Sequence, residues 1–244
     1  MSKYTASSVT HRCAAGAAAL SLFAGAAHGS NMGTLEMNFV GTGLGQSVRI
    51  DVDGSAKTVF AGEIHFQTRN GVDLGAQFDA ITMPTYCVEP TQTVQSGWRT
   101  YEVTVPETSA APMMDLARSI AINNAAAFFY SQRAAGMIDS AAAAGFQVAL
   151  WEIMRDYDGN AGRSSLDVTG GTFKATQTNG TALATTVSNW VGQFLDAASA
   201  SSFDGQTSYV LHSATSQDQI VPGPGGMSLA YMSLLIFAGR RRRA

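Results

Sequence analysis

The sequence predicts an α+β fold, because strand-like and helical patterns occupy separate parts of the chain. Between residues 34 and 105, apolar and polar residues alternate in short segments that Gly, Asn and Asp turns divide. From residue 112 to 199 the apolar residues recur at helical spacing instead. Two short segments, SYVLHS and SQDQIV, then have the pattern of closing strands. We therefore expect a sandwich or barrel-like sheet packed against a small helical subdomain.

Five segments of the first region have the alternation and the β-branched and aromatic content of strands. They are MNFVG, QSVRIDVDG, KTVFAGEIHFQT, ITMPTYCVE and RTYEVTV. Cys87 falls at or near the end of the fourth, where Pro84 and Pro90 limit the length over which the strand can pair.

Three helices are predicted in the second region. Pro112 opens the first and Gly136 stops it, and the third covers residues 181–199. The second follows Asp139, which can cap it, and ends at Gly159. Because a glycine has no side chain, Gly145 of this helix would let another backbone approach closely.

Residues 1–29 have the pattern of a secretory signal peptide. Two basic residues precede the small, apolar run CAAGAAALSLFAGAA, and Ala27-His28-Gly29 fits a cleavage site, with Ala24-Gly25-Ala26 as the alternative. A cytosolic alanine-rich helix is the other interpretation, but glycines interrupt the run and disfavour a soluble helix. We therefore expect export, with residues 30–220 as the mature domain.

The tail, residues 221–244, combines a Pro/Gly hinge, an apolar run within 227–239 and four consecutive arginines. The run is shorter than the roughly 17–25 residues of a membrane span, so it favours transient anchoring. This tail resembles the PEP-CTERM class of bacterial sorting signals, which an exosortase recognises and cleaves. Gly223 stands where the usual Val-Pro-Glu-Pro pattern has glutamate. The resemblance implies sorting to the cell envelope, cell surface or extracellular matrix, with a plain tail anchor as the alternative.

The charge of the region between the two ends argues against nucleic-acid binding. All 18 acidic residues lie between 30 and 221, whereas six of the 15 basic residues lie in the ends, so the region between them is strongly acidic. An acidic domain without a basic cluster is a poor partner for a polyanion. The arginine block is better explained as a topology signal.

Cys87 is the single cysteine that remains once the signal peptide is removed. An exported chain with one thiol cannot form an internal disulfide. Three interpretations are open. Cys87 is a small buried hydrophobe, or the nucleophile of a cysteine hydrolase with His65 or His212 as its base, or half of a cross-link to another residue type.

Two motifs favour the third interpretation. Tyr86-Cys87-Val88-Glu89 lies on a predicted strand, and GFQVALW, which contains Gln147, lies in a predicted helix 60 residues later. This pair resembles the thioester domain of bacterial surface adhesins, in which an aromatic-Cys-apolar-polar motif on a strand is joined to an apolar-Gln-x-x-apolar motif at the start of a helix. The resemblance covers roughly residues 35–221.

The resemblance implies a Cys87–Gln147 thioester, a self-made electrophile that needs no cofactor and no metal. It also implies a site between sheet and helices that excludes water, for which Tyr86, Phe146 and Trp151 are candidate walls. The backbone N–H groups of residues 144–147, if they end a helix, would stabilise an oxyanion. Glu89 is a candidate orienting group or base, although an exposed strand-end carboxylate explains it equally well.

The expected function is covalent adhesion or cross-linking through an amine or hydroxyl of a surface or matrix target, in a single turnover and not as an enzyme. The alternative is a non-covalent structural or carbohydrate-binding matrix protein in which Cys87 is buried. The segment DYDGNAG (156–162) has oxygen ligands typical of a calcium loop but lacks the later glutamate of an EF-hand. A turn after the second helix explains it more simply.

Overall fold

The computed structural model describes residues 32–74, 78, 80–111, 113–200 and 208–222, and confirms the α+β prediction. Among these residues, seven antiparallel strands form one sheet, and one of three helices packs against it while the other two pack on that helix. The elements in chain order are β1 (Gly33–Val52), β2 (Ser55–Val72), β3 (Thr82–Cys87), β4 (Trp98–Thr104), α1 (Leu116–Ala134), α2 (Ser140–Asp156), β5 (Phe173–Thr176), α3 (Thr185–Ala198), β6 (Ser208–His212) and β7 (Gln219–Pro222).

The sheet closes on itself through β1. This strand pairs with β2 on one side and with β4 on the other, so six strands form a ring in the order β1-β2-β3-β7-β6-β4. Strand β5 lies outside the ring, on the part of β1 beyond β4. The two closing segments of the sequence, which become β6 and β7, lie between β3 and β4 and complete the ring.

The sequence predicts MNFVG and QSVRIDVDG as separate strands, but the first segment and the second as far as Val52 belong to the single strand β1. The register between β1 and β2 shifts near Gly41 and Gly45, where β-bulges bend the strand without ending it. A Cβ on Gly45 would lie 2.4 Å from the carbonyl oxygen of Ala61, so the two backbones meet too closely for any other residue. Gly41 and Gly45 therefore allow β1 to bend, and they do not form a turn between two strands.

Two helices begin later than the sequence predicts. Helix α1 starts at Leu116 and not at Pro112, because the Asp115 side chain accepts a hydrogen bond from the Arg118 N–H and caps the helix there. Helix α3 starts at Thr185 and not at residue 181.

Helix α2 is the centre of the molecule. Asp139 caps it as predicted, since its Oδ1 accepts a hydrogen bond from the Ala142 N–H at 2.8 Å. Every residue from Ala141 to Met154 is buried, because the helix lies against the sheet on one side and against α1 and α3 on the other. Gly145 lies inside α2, where it faces α3.

The ends of the chain are outside the described residues, so the predicted signal peptide and tail stay predictions. Within the part of the chain that the structure describes, no helix has both the length and the hydropathy needed to cross a bilayer. The apolar run within 227–239 lies outside the described residues.

Candidate functional site

Cys87 and Gln147 lie in contact, although 60 residues separate them in the chain. Cys87 is the last residue of β3, and Gln147 lies in the middle of α2. The Cys87 N–H donates to Gln147 Oε1 at 2.8 Å, and Gln147 Nε2 donates to the Cys87 carbonyl oxygen at 2.7 Å. The Gln147 side-chain amide is thus hydrogen-bonded to both the N–H and the carbonyl oxygen of Cys87.

The end of β3 explains this contact. Pairing between β3 and β2 stops at Thr85, whereas pairing with β7 continues to Cys87, which lies opposite Gln219. The backbone groups of Cys87 that face away from β7 therefore need another partner, because an unpaired buried peptide group is costly. The Gln147 amide, with one acceptor and one donor side by side, takes the place of the missing strand.

The Cys87 sulfur is held between a donor and an acceptor. Its thiol donates to the carbonyl oxygen of Glu89, with 3.0 Å between the heavy atoms, and the Trp151 indole Nε1–H donates to Sγ at 3.4 Å. Burial raises the pKa of the Cys87 thiol well above its usual value, and the indole N–H opposes this shift only in part. At neutral pH the sulfur therefore carries its proton.

The site is closed to solvent. Cys87 and Gln147 are each about 1% exposed, and the three predicted wall residues Tyr86, Phe146 and Trp151 are also buried. The Tyr86 ring meets the edge of Phe146 at a centroid distance of 4.9 Å, and Phe146 stacks on Phe129 of α1 at 4.2 Å. Trp151 differs from the other two, since it contacts the sulfur itself.

Glu89 is not the exposed strand-end carboxylate that the sequence offered as an alternative. Glu89 is 3% exposed, and its Oε1 accepts hydrogen bonds from the Thr91 N–H at 3.0 Å and the Thr91 hydroxyl at 2.7 Å. The carboxylate therefore shapes the turn after β3. It lies close enough to the Cys87 thiol for its charge to raise the pKa of that thiol.

The two histidines of the mature region bind carboxylates and not the cysteine. His65 Nε2 lies 3.3 Å from Glu63 Oε2, and His212 Nδ1 lies 3.0 Å from Asp218 Oδ1. Neither histidine makes a hydrogen bond to Cys87 Sγ among the described residues. The described hydrogen bonds thus pair each imidazole with a carboxylate, whereas a cysteine hydrolase pairs its histidine with the nucleophilic sulfur.

The prediction that the backbone N–H groups of residues 144–147 stabilise an oxyanion is wrong. The N–H groups of residues 144–147 lie inside α2, which starts at Ser140, so their hydrogen bonds are made within the helix. The N–H that reaches the Gln147 side-chain oxygen belongs to Cys87. The adhesin motif has its glutamine at the start of a helix, whereas in α2 five helical residues, Ser140 to Ala144, precede Gly145.

Sequence reasoning missed the glutamines that fasten the segment after Cys87. Gln217 Nε2 donates to the carbonyl oxygen of Gln92 at 2.9 Å, and Gln92 Oε1 accepts from the Asp218 N–H at 2.8 Å. The Val88 N–H also donates to the Asp218 carbonyl oxygen. The turn between β6 and β7 thus holds the segment in place beside the sulfur. Its only signal in the sequence is the glutamine-rich composition of SQDQIV.

Glu152, next to Trp151, is a buried carboxylate with half of its hydrogen bonding satisfied. Its Oε1 accepts from the Asp167 N–H at 2.6 Å, whereas its Oε2 has no partner among the described residues. Burial, together with the nearby Asp156 carboxylate, raises the pKa of Glu152 from 4.5 to about 8.

Glu152→Gln is expected to remove a loss of stability that the wild type suffers as the pH rises. In the unfolded chain Glu152 ionises near its usual pKa of 4.5, whereas in the folded protein it ionises near 8. The contribution of Glu152 to the free energy of unfolding is therefore fully present below pH 4.5 and is lost as the pH rises to about 8. The amide keeps the acceptor for Asp167 and carries no charge, so above pH 8 the variant gains ~1–3 kcal/mol in free energy of unfolding. Urea denaturation across this range measures the effect, with the exposed Glu102→Gln as control. The same pH slope in wild type and Glu152→Gln would contradict it.

Comparison of the chain with protein-family models, with curated proteins and with solved structures gives no significant match. The function of the site is therefore inferred from its geometry and its two motifs.

Proposed function

We propose that Cys87 and Gln147 form an internal thioester, and that the chain is an exported surface or matrix protein that uses this bond for covalent attachment. One observation carries the proposal. The Gln147 side-chain amide makes two hydrogen bonds to Cys87, at 2.8 and 2.7 Å, from an element 60 residues away in sequence. The Gln147 side chain is thus held at the backbone of Cys87, and this limits the movement that the two buried residues need in order to react.

Thioester formation needs no cofactor and no reactant other than Cys87 and Gln147. Cys87 Sγ attacks the Gln147 side-chain carbon, the C–S bond forms, the C–N bond breaks, and the thiol proton leaves with the amide nitrogen as ammonia. The Cys87 N–H already donates to Gln147 Oε1, so it is positioned to stabilise the negative charge that develops on this oxygen. The hydrogen bond from Nε2 to the Cys87 carbonyl ends when ammonia departs.

Attachment is the second half of the reaction. An amine or hydroxyl of the target attacks the same carbon, the C–S bond breaks, and the target's proton passes to the sulfur. The target is then joined to Gln147 by an amide or an ester, and Cys87 is a free thiol again. Because the glutamine is consumed, each molecule reacts once.

Burial supports the proposal in a second way. A thioester in water hydrolyses, and both Cys87 and Gln147 are about 1% exposed. The aromatic rings of Tyr86 and Phe146 pack against each other next to the pair, on the side of α1. Export and sorting, which the predicted signal peptide and tail favour, would bring this electrophile to surfaces that carry amines and hydroxyls.

A purely structural role for the pair is the alternative, and one observation favours it. The Gln147 amide satisfies the backbone groups that β3 exposes where its pairing with β2 stops. A non-covalent structural or carbohydrate-binding matrix protein would need no more than this from the two residues.

Labelling with methylamine separates the two proposals. The thioester is expected to take up one methylamine per chain, and peptide mapping should place it on Gln147 and not on Gln219, the glutamine opposite Cys87 in β7. Cys87→Ala and Gln147→Ala should each abolish uptake, whereas Gln193→Ala, which removes an exposed glutamine of α3, should leave it unchanged. A folded wild-type chain that takes up no methylamine would support the structural role.

A further inference from the structure

We propose that Trp151 is the hydrogen-bond donor that stabilises the sulfur of Cys87 each time the C–S bond is made or broken. This inference rests on the proposed thioester. Trp151 follows Gln147 by one helical turn, so both side chains leave the same face of α2. Gln147 reaches the backbone of Cys87, and the Trp151 indole Nε1 reaches its Sγ at 3.4 Å.

The chemistry of the sulfur creates the need for a donor. When an amine opens the thioester, the electron pair of the C–S bond goes to Sγ, which carries negative charge until it takes the proton of the attacking amine. Negative charge on Cys87 is costly at this position, because burial and the carboxylates of Glu89 and Asp218 all raise the pKa of its thiol. A donor aimed at Sγ offsets this cost, and a hydrogen bond to a charged atom is stronger than one to a neutral atom.

Of the two described hydrogen-bond partners of Sγ, only Trp151 can stabilise a negative charge on the sulfur. The other described hydrogen-bond partner of Sγ is the Glu89 carbonyl oxygen, which can accept the proton of a thiol but repels a thiolate. The indole N–H can only donate, so it favours the charged form. The Cys87 N–H serves the carbonyl oxygen of Gln147, and Trp151 serves the sulfur. Each of the two atoms that gain negative charge thus has one donor.

The donor role and the wall role predict opposite changes in rate. If Trp151 acts only by excluding water and nucleophiles, a smaller ring in its place opens the site and speeds attack. If it stabilises the departing sulfur, loss of the N–H slows attack even when the ring stays. Trp151 is 2% exposed and packs near Phe173, so a phenylalanine at position 151 keeps an aromatic ring among the same neighbours.

The test is the rate at which methylamine opens the purified thioester protein, followed by intact mass in wild type and Trp151→Phe. Trp151→Phe removes a hydrogen bond to an atom that becomes charged, and this loss is expected to slow the opening of the thioester ~10–100-fold. Trp98→Phe is the matched control, since this tryptophan lies on β4 beneath the Arg69 guanidinium, and the wild-type rate is expected. An equal or faster opening in Trp151→Phe overturns the donor role.

The outcome of the test separates this inference from the proposed function. A wild-type chain of full mass overturns both, whereas a wild-type thioester with unchanged opening in Trp151→Phe overturns the donor role alone. If Trp151→Phe does not fold, wild type labelled with 5-fluorotryptophan supplies the second measurement. Fluorine makes the indole N–H a stronger donor at nearly unchanged shape, so opening should be faster than in unlabelled protein, and equal or slower opening overturns the proposal.

Discussion

Gly145→Val is expected to lower the free energy of unfolding by roughly 3 kcal/mol or more. A Cβ at this position would lie 2.7 Å from Trp190 Cβ and 3.2 Å from the Val191 backbone nitrogen, both of which belong to α3. These atoms lie at or next to the backbone and cannot swing away, so the two helices must separate. Since Gln147 follows two residues later on α2, its two hydrogen bonds to Cys87 are also expected to weaken. Urea denaturation and methylamine uptake measure the two effects.

Two alanine substitutions give a matched control for the close approach. Gly192 lies in α3, and a Cβ there would meet no atom within 4 Å, so Gly192→Ala is expected to stabilise the protein by about 1 kcal/mol through helix propensity alone. Gly145→Ala has the same propensity gain but creates the contact with Trp190, and a net loss of ~1–2 kcal/mol is expected. Stabilisation by both substitutions would contradict the close approach of α2 and α3.

Arg133→Met is expected to cost ~3–5 kcal/mol of stability, because it leaves the Glu63 carboxylate buried without its cation. Glu63 is 3% exposed and forms an ion pair with Arg133, and the Tyr86 hydroxyl donates to the same carboxylate at 3.4 Å. Burial alone would raise the pKa of Glu63, but the hydrogen bond from His65 and the charge of Arg133 hold it below its usual value. Thermal and urea unfolding at neutral pH measure the loss.

Restoring neutrality should recover much of this stability. The double variant Glu63→Gln/Arg133→Met buries no unpaired charge, so it is expected to be more stable than Arg133→Met alone. Asp196→Asn, which removes one partner of the exposed ion pair with Arg163, serves as control and should cost less than ~1 kcal/mol. A loss for Arg133→Met no larger than that of the control would contradict a buried ion pair at Glu63.

The periodic parts of the chain could be predicted from sequence, whereas the places where elements bend or begin could not. Asp139 and the apolar residues after it identify α2, because a cap and a helical period are both local signals. The single strand β1 was missed, since Gly41 and Gly45 mark a bulge or a turn equally well until the partner strand is known. The start of α1 was missed because Pro112 and Asp115 are both good starting residues.

At the candidate site, the pairing of Cys87 with Gln147 was anticipated from two motifs, and the structure brings the two residues into contact. The donors around them were not anticipated. The N–H that reaches Gln147 Oε1 belongs to the end of a strand, and the indole that reaches Sγ was interpreted as a wall, because a sequence shows an aromatic ring but not its direction. The Glu63–Arg133 pair joins a strand to a helix 70 residues away, and no local pattern marks such a partnership.

The intact mass of the purified chain, taken before any nucleophile is added, tests the thioester most directly. A Cys87–Gln147 thioester makes the wild-type chain lighter by one ammonia molecule than its sequence requires, whereas Cys87→Ala and Gln147→Ala each have the full mass of their sequences. A freshly folded wild-type chain at full mass, with Cys87 present as a thiol, would contradict the thioester and leave the contact between Cys87 and Gln147 as a structural one.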